Sequence, residues 1–193
     1  MGEEIINKII NKKLLIFDLD GTLVNTDEVN LLAYKDAIQK ILDIDLALLH
    51  ENEERFTREK LCSIIPNLQS QEYEKIIEMK NSVYENYLHK SKVNIFVLKI
   101  IDKFSKTNKI ILATNSHKDR ANMVLRYHGL TNSFDNIFYK EDYKNQRNKF
   151  EHVFSCLNIY DPSLALIFED DVNEISKAKL LGIPDENIVS HIC

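Results

Sequence analysis

Leu14-Leu15-Ile16-Phe17-Asp18-Leu19-Asp20-Gly21-Thr22-Leu23 is the stretch on which the fold turns. Its apolar run is long enough for a buried strand and ends in two carboxylates followed by a Gly-Thr turn. Period-two geometry places Asp18 and Asp20 on the same side of the extended chain. Two acids at the open end of a strand repel each other unless positive charge sits between them. The pair therefore suits a hard cation such as Mg²⁺ and chemistry on an anionic substrate.

Working outward, four more strands are expected: Lys109–Thr114, Asn136–Tyr139, Leu164–Glu169 and Ile188–Ile192. Continuous apolar runs such as Ile110-Ile111-Leu112-Ala113 fit strands covered on both faces, as in a parallel sheet. Helical patterns lie between them. Val93, Phe96, Val97, Ile100, Ile101 and Phe104 fall on one helical face, and His117–His128 stops at Gly129. Phe150, Val153, Phe154 and Leu157 form another stripe, and Glu174–Leu181 closes at Gly182 and Pro184. This alternation predicts an α/β fold with a doubly wound parallel sheet. From Asp27 to Lys90 only helical signals occur, over Val29–Leu42, Glu53–Ile65 and Gln71–His89. That is too much helix for a simple crossover, so a small helical domain is expected at 26–91, inserted into a core of 1–25 and 92–193.

Composition narrows the class. The 193 residues are 44% hydrophobic and 28% charged, a globular balance, and the net charge of −5 gives no nucleic-acid footprint. Cys62, Cys156 and Cys193 lack metal-binding spacing and suggest a reducing cytoplasm; Cys62 and Cys156, among Leu, Ile and Phe, are expected in the core. Residues 1–13 are too polar for a signal peptide, and no apolar run reaches the roughly 20 residues of a membrane span. The expectation is a soluble cytoplasmic protein with no membrane or nucleic-acid partner, monomeric or homodimeric.

Asp18-Leu19-Asp20-Gly21-Thr22-Leu23 resembles the first motif of the haloacid dehalogenase-like (HAD) superfamily. Further elements follow in that family's order: Ala113-Thr114-Asn115-Ser116 after the second core strand, a lysine-bearing segment at Tyr143–Lys149, then Phe168-Glu169-Asp170-Asp171 and Lys177–Pro184. The resemblance implies a HAD-like Rossmannoid core with a C1-type helical cap, and a Mg²⁺-dependent phosphomonoester hydrolase acting on a small phosphorylated metabolite. Asp18 would be the nucleophile that becomes an aspartyl-phosphate. Asp20 would move protons and reach metal through its backbone carbonyl, with Glu169 and Asp170 completing the metal shell. Thr114 and Asn115 would bind phosphate, and Ser116 would cap the following helix, whose positive end faces that phosphate.

The motif lysine is placed at Lys144 by counting back from Leu157 with one inserted residue; Lys149, at the helix start, and Arg147 are the alternatives, because the prolines usual in this loop are missing. His117, Lys118 and Arg120 read as solvated surface, and Asp171 and Glu174 as acids behind the metal ligands or on the surface. Asp20 argues against dehalogenation, which needs no proton donor there. A phosphomutase of the beta-phosphoglucomutase kind is the alternative, using the same residues, and a non-catalytic binding or scaffold protein is a third reading. Substrate choice is assigned to the helical insertion, where His50, Arg55, Arg58 and Lys60 form a basic cluster and Tyr34, Tyr73, Tyr84 and Tyr87 are packing residues.

Overall fold

The apolar runs become strands that set everything else. The computed structural model describes residues 2–10, 12, 14–44, 56, 58–143 and 148–190. In chain order its elements are α1 (Gly2–Ile10), β1 (Leu14–Phe17), β2 (Val24–Asn25), α2 (Asp27–Leu42), α3 (Arg58–Ile64), α4 (Ser70–Val83), β3 (Lys92–Val93), α5 (Ile95–Phe104), β4 (Lys109–Ala113), α6 (Lys118–Tyr127), β5 (Asn136–Phe138), α7 (Lys149–Leu157), β6 (Ala165–Phe168), α8 (Val172–Leu180) and β7 (Ile188–Val189). The chain divides into two compact units, Met1–Val24 with Val93–Cys193, and Asn25–Lys92.

In the first unit β5-β4-β1-β6-β7 form a five-stranded sheet, parallel at every pairing. The α/β expectation holds. β1 pairs with β4 on one side and β6 on the other, so the strand order reverses at β1, and the carboxyl ends at such a reversal are where open α/β sheets usually bind ligands. Leu14, Leu15, Ile16 and Phe17 are all fully buried, each contributing roughly 1.5–3 kcal/mol. Alternation sorts them by face. Leu14 and Ile16 of β1, Ile111 and Ala113 of β4, and Ala165 and Ile167 of β6 share one cluster with Phe150, Val153 and Phe154 of α7 and Ala178 of α8. The face carrying α7 is therefore the face on which alternate residues past β1 and β6 emerge.

The sequence reading did not anticipate α1. Its isoleucines come in adjacent pairs, and only Ile5 and Ile9, one turn apart, are buried, while Ile10 is 68% exposed. The Asn108 amide donates to the Ile9 and Lys12 carbonyls and ties this segment to the approach of β4. α5 starts at Ile95 rather than Val93, because Lys92–Val93 is extended and the Asn94 side chain accepts from the Phe96 and Val97 N–H groups, fixing the first turn.

The second unit is helical, as expected. α2 packs with α4, and α4 runs on as 3-10 helix over Tyr84–Lys90. Its core gathers Tyr34, Ala37, Ile38, Phe56, Leu61, Ile65 and Ile76. Tyr34 and Tyr84 are buried and the Tyr87 hydroxyl donates to Asp36. His50 and Arg55 of the basic cluster lie outside the described residues. The cysteine expectation fails: Cys62 and Cys156 are exposed. Each falls beside its helix's apolar stripe, which is formed by Leu61 and Ile65 in one case and by Phe150, Val153 and Phe154 in the other.

Candidate active site

Register builds the site. Phe17 of β1 lies opposite Phe168 of β6, their rings stacked with centroids 4.4 Å apart, and the ladder continues one residue further as the Asp18 N–H donates to the Phe168 carbonyl at 3.0 Å. Asp18 and Glu169 therefore leave adjacent strands side by side. Both follow the parity of Ile16 and Ile167, which aims them at the α7 face. There the first residue of α7, Lys149, places its Nζ 2.6 Å from Asp18 Oδ1 and 2.6 Å from Glu169 Oε2. Lys149 and Glu169 are each only 1% exposed. Lys144 lies outside the described residues; among those described, the amine that meets Asp18 is Lys149. A sequence signal for it exists. Lys149 stands four residues before Val153 and so extends the Phe150–Leu157 stripe onto the buried face of the helix.

Burial dominates the electrostatics. It pushes the Asp18 and Glu169 carboxyls up from their ordinary values, while the Lys149 ammonium pulls both down. Burial alone would lower the Lys149 amine, yet the Asp18 and Glu169 carboxylates raise it. Lys149 is therefore a fixed cation, held between two acids.

Asp20 lies past the end of β1, near enough to Asp18 for its charge to raise the Asp18 carboxyl. β1 ends at Phe17, and Leu19–Leu23 turn back, with the Gly21 N–H on the Val24 carbonyl and the Val24 N–H on the Leu19 carbonyl, both at 2.9 Å. Gly21 sits at φ +97, and a Cβ there would collide with the Asp170 carboxylate. Each acid then finds its own partners: Asp20 Oδ2 accepts from the Ser116 hydroxyl and from Arg120 Nη2 at 3.0 Å. Arg120 is thus not the solvated residue its helical position suggested. Asp170 Oδ1 accepts from the Thr22 hydroxyl at 2.8 Å, a contact that sequence reasoning missed although Thr22 lies in the opening stretch.

Asp18, Glu169 and Asp170 bring carboxylate oxygens within 4.8 Å of one another and could hold a metal ion. The donor set is all oxygen, and with Lys149 the three acids carry a formal excess of two negative charges. Both features suit a hard divalent cation, and Gly21 leaves room for Asp170 to take part. One Glu169 oxygen is ion-paired with the Lys149 ammonium and the other accepts from the Asp171 N–H at 3.0 Å. Each retains a further lone pair for a metal. The Asp20 side chain is not in this cluster. Asp171 caps α8 through its side chain, and Glu174, buried, is bound 2.6 Å from Lys177.

Thr114 follows β4, fully buried, and its Oγ1 accepts from the Ser116 N–H at 3.0 Å. The Tyr143 hydroxyl donates to the Thr114 carbonyl and to Asn115 Oδ1, tying both residues of this turn to the segment before α7. Burial raises the Tyr143 phenol well above its ordinary value, so it stays a donor. The capping expectation for Ser116 is corrected. α6 begins at Lys118 with His117 at the cap position, one residue too late for Ser116, whose hydroxyl turns to Asp20. The mouth of α6 is also already served by a carboxylate, since Glu141 accepts from the Lys118 N–H at 3.1 Å and pairs with His117 at 2.7 Å.

Known proteins share the fold and the sequence pattern of this chain. A Clostridium perfringens protein provisionally named pyrophosphatase PpaX is 28% identical over 177 residues, covering 88% of this chain and 80% of its own length. A crystal structure from Thermotoga maritima, provisionally named beta-phosphoglucomutase, is 26% identical with a TM-score of 0.67, covering 91% of this chain and 83% of that one. A Geobacter sulfurreducens HAD-superfamily hydrolase of subfamily IA superposes with a TM-score of 0.72 at 20% identity, covering 93% and 87%. The family model for haloacid dehalogenase-like hydrolases matches residues 15–185, and the chain belongs to that family.

Proposed function

We propose that the protein is a Mg²⁺-dependent phosphomonoester hydrolase that works through an aspartyl-phosphate on Asp18. The observation that carries this reading is the Asp18 carboxylate, desolvated at the end of β1, 2.6 Å from a buried lysine and clustered with Glu169 and Asp170. A nucleophilic carboxylate must be spared repulsion by the incoming phosphate, and Lys149 supplies that charge. Lys149, with the Asp18 contact, is also the better candidate for the motif lysine than Lys144.

The residues divide the work. Thr114 accepts from Ser116, which leaves its own hydroxyl proton for a phosphate oxygen, and Asn115, its amide oxygen held by Tyr143, offers its NH₂ group. Asp18 attacks phosphorus, the phosphorus–oxygen bond to the leaving group breaks, and Asp20 protonates that oxygen. Asp20, now a carboxylate, takes a proton from water as that water attacks phosphorus; the Asp18–phosphorus bond breaks and inorganic phosphate leaves. Bound by Asp18, Asp170 and Glu169, with the Asp20 carbonyl as a further ligand, Mg²⁺ would neutralise charge on the phosphoryl oxygens. The helical unit, residues 25–92, carries substrate choice in this reading.

The test is a Mg²⁺-supplemented screen over sugar phosphates, nucleotides, pyrophosphate and small phosphorylated acids, with Asp18→Asn as control. The expected result is release of inorganic phosphate, lost by about 10⁴-fold or more in Asp18→Asn. Turnover that survives this substitution sinks the mechanism. The relation to a named beta-phosphoglucomutase keeps one second reading, phosphoryl return to the substrate; labelled phosphoryl found in a substrate isomer rather than in inorganic phosphate selects it.

A further inference from the structure

Among the described residues, Asp20 is contacted by two donors that no step above employs. Arg120 Nη2 donates to Asp20 Oδ2 at 3.0 Å and also to the Ser116 hydroxyl, which itself donates to the same Oδ2. Asp20 is 3% exposed and Ser116 is 2% exposed, while Arg120 is half-buried. Ser116 is fixed in turn, because its N–H donates to Thr114 Oγ1. Arg120 stands in the first turn of α6, four residues after Ser116, so the cation, the hydroxyl and the start of the helix form one rigid group.

Both donors converge on Oδ2. A proton-transfer acid has two oxygens, and only one needs to face the reacting atoms. An oxygen that receives a guanidinium N–H and a hydroxyl has its lone pairs committed. We propose that Arg120 and Ser116 are positioning residues that reserve Oδ2 as an anchor, so that the proton Asp20 delivers and recovers is carried on Oδ1. The carboxyl is thereby held in one rotamer through both halves of the reaction, and proton transfer proceeds without a side-chain search. Arg120 also acts as Asp20's separate countercharge, so that Lys149 remains committed to Asp18 and Glu169. This proposal rests on the reading of Asp20 as the proton-transfer acid.

Leaving-group chemistry tests it. Phenyl phosphate and p-nitrophenyl phosphate have nearly the same shape, but phenolate is the poorer leaving group and depends more on a positioned proton donor. In Arg120→Ala and in Ser116→Ala, kcat for phenyl phosphate should fall by about 30-fold or more, and kcat for p-nitrophenyl phosphate by about threefold or less, with KM for both little changed. The double variant should be no worse than the worse single one, because both donors serve one oxygen. Thermal melting reports whether each variant folds, and Ser116→Ala, the smaller change, carries the test if Arg120→Ala does not. Equal losses on the two esters, or no loss on either, overturn the proposal. Asp20→Asn keeps the two readings apart. If it leaves phenyl phosphate turnover intact, the role of Asp20 fails and the anchor with it. If it abolishes that turnover while Arg120→Ala and Ser116→Ala do not separate the esters, only the anchor fails.

Discussion

Each of the two units buries a lysine almost completely, and the described surroundings of the two differ. Lys149 in the α/β unit is 1% exposed and lies 2.6 Å from two carboxylates. Lys80 in the helical unit is 3% exposed and lies over aromatic faces, 4.4 Å from the Tyr84 ring centroid and 5.4 Å from that of Tyr34. Ring faces attract a cation weakly and without direction for proton transfer, about 0.5–2 kcal/mol. Paired carboxylates hold it strongly and leave charge poised for chemistry. In the proposed reading the lysine beside the carboxylates serves the chemistry, and the lysine over the rings lies outside it.

The largest expected effect separates the two. Lys149→Met should reduce kcat by about 10³-fold or more and destabilise the metal-free protein by about 3–5 kcal/mol, since Asp18 and Glu169 lose their shared partner. Lys80→Met, in the helical unit, should change kcat only a few-fold. Kinetics with chemical denaturation checks both. A Lys80→Met protein that is fully folded yet inactive breaks the comparison.

Next, Asp170→Asn should raise the Mg²⁺ concentration for half-maximal activity by about tenfold or more, read from a metal titration, while Asp36→Asn in the helical unit leaves it in place. Gly21→Ala should lose about 1–3 kcal/mol from its φ of +97 and also weaken Mg²⁺, since the added methyl displaces Asp170. Unchanged metal affinity in Gly21→Ala would mean that Asp170 is not a ligand.

The smallest effect is on pH dependence. Burial, and then the neighbouring Asp18, push Glu169 from 4.5 up to about 8. Below the lower value both folded and unfolded chains hold the proton. Between the two the unfolded chain gives it up first, so metal-free stability falls as pH rises through this window. Melting temperatures across that range should decline, flatten when Mg²⁺ saturates the site, and lose part of their slope in Glu169→Gln. A slope untouched by Glu169→Gln refutes the assignment.

How much of this was legible depends on whether a feature is written in one segment or in the meeting of several. β1 was readable because a buried strand ending in Asp18 carries its pattern locally, and β4 and β6 were readable for the same reason. Lys149 was harder: a charged residue heading a helix looks solvated unless the stripe through Val153 is extended backwards. The Arg120–Ser116–Asp20 contact was beyond sequence pattern, because it joins a turn after β1 to one after β4 across about a hundred positions of chain. α1 was obscured by paired isoleucines, of which only one per pair is buried. The cysteines misled because apolar neighbours in sequence are not neighbours on a helix face.

The chain departs for the helical unit through β2 and returns through β3, and these two short strands pair with each other. Just beyond them the Asn94 N–H donates to the Leu23 carbonyl at 2.9 Å. Residues 25–92 therefore form an excursion whose two ends are stitched together, and a short turn could replace it without stretching β1 or α5. Such an insert is exchangeable. An experimenter can make that exchange in a single cloning step while Asp18, Lys149, Glu169 and Asp170 stay untouched.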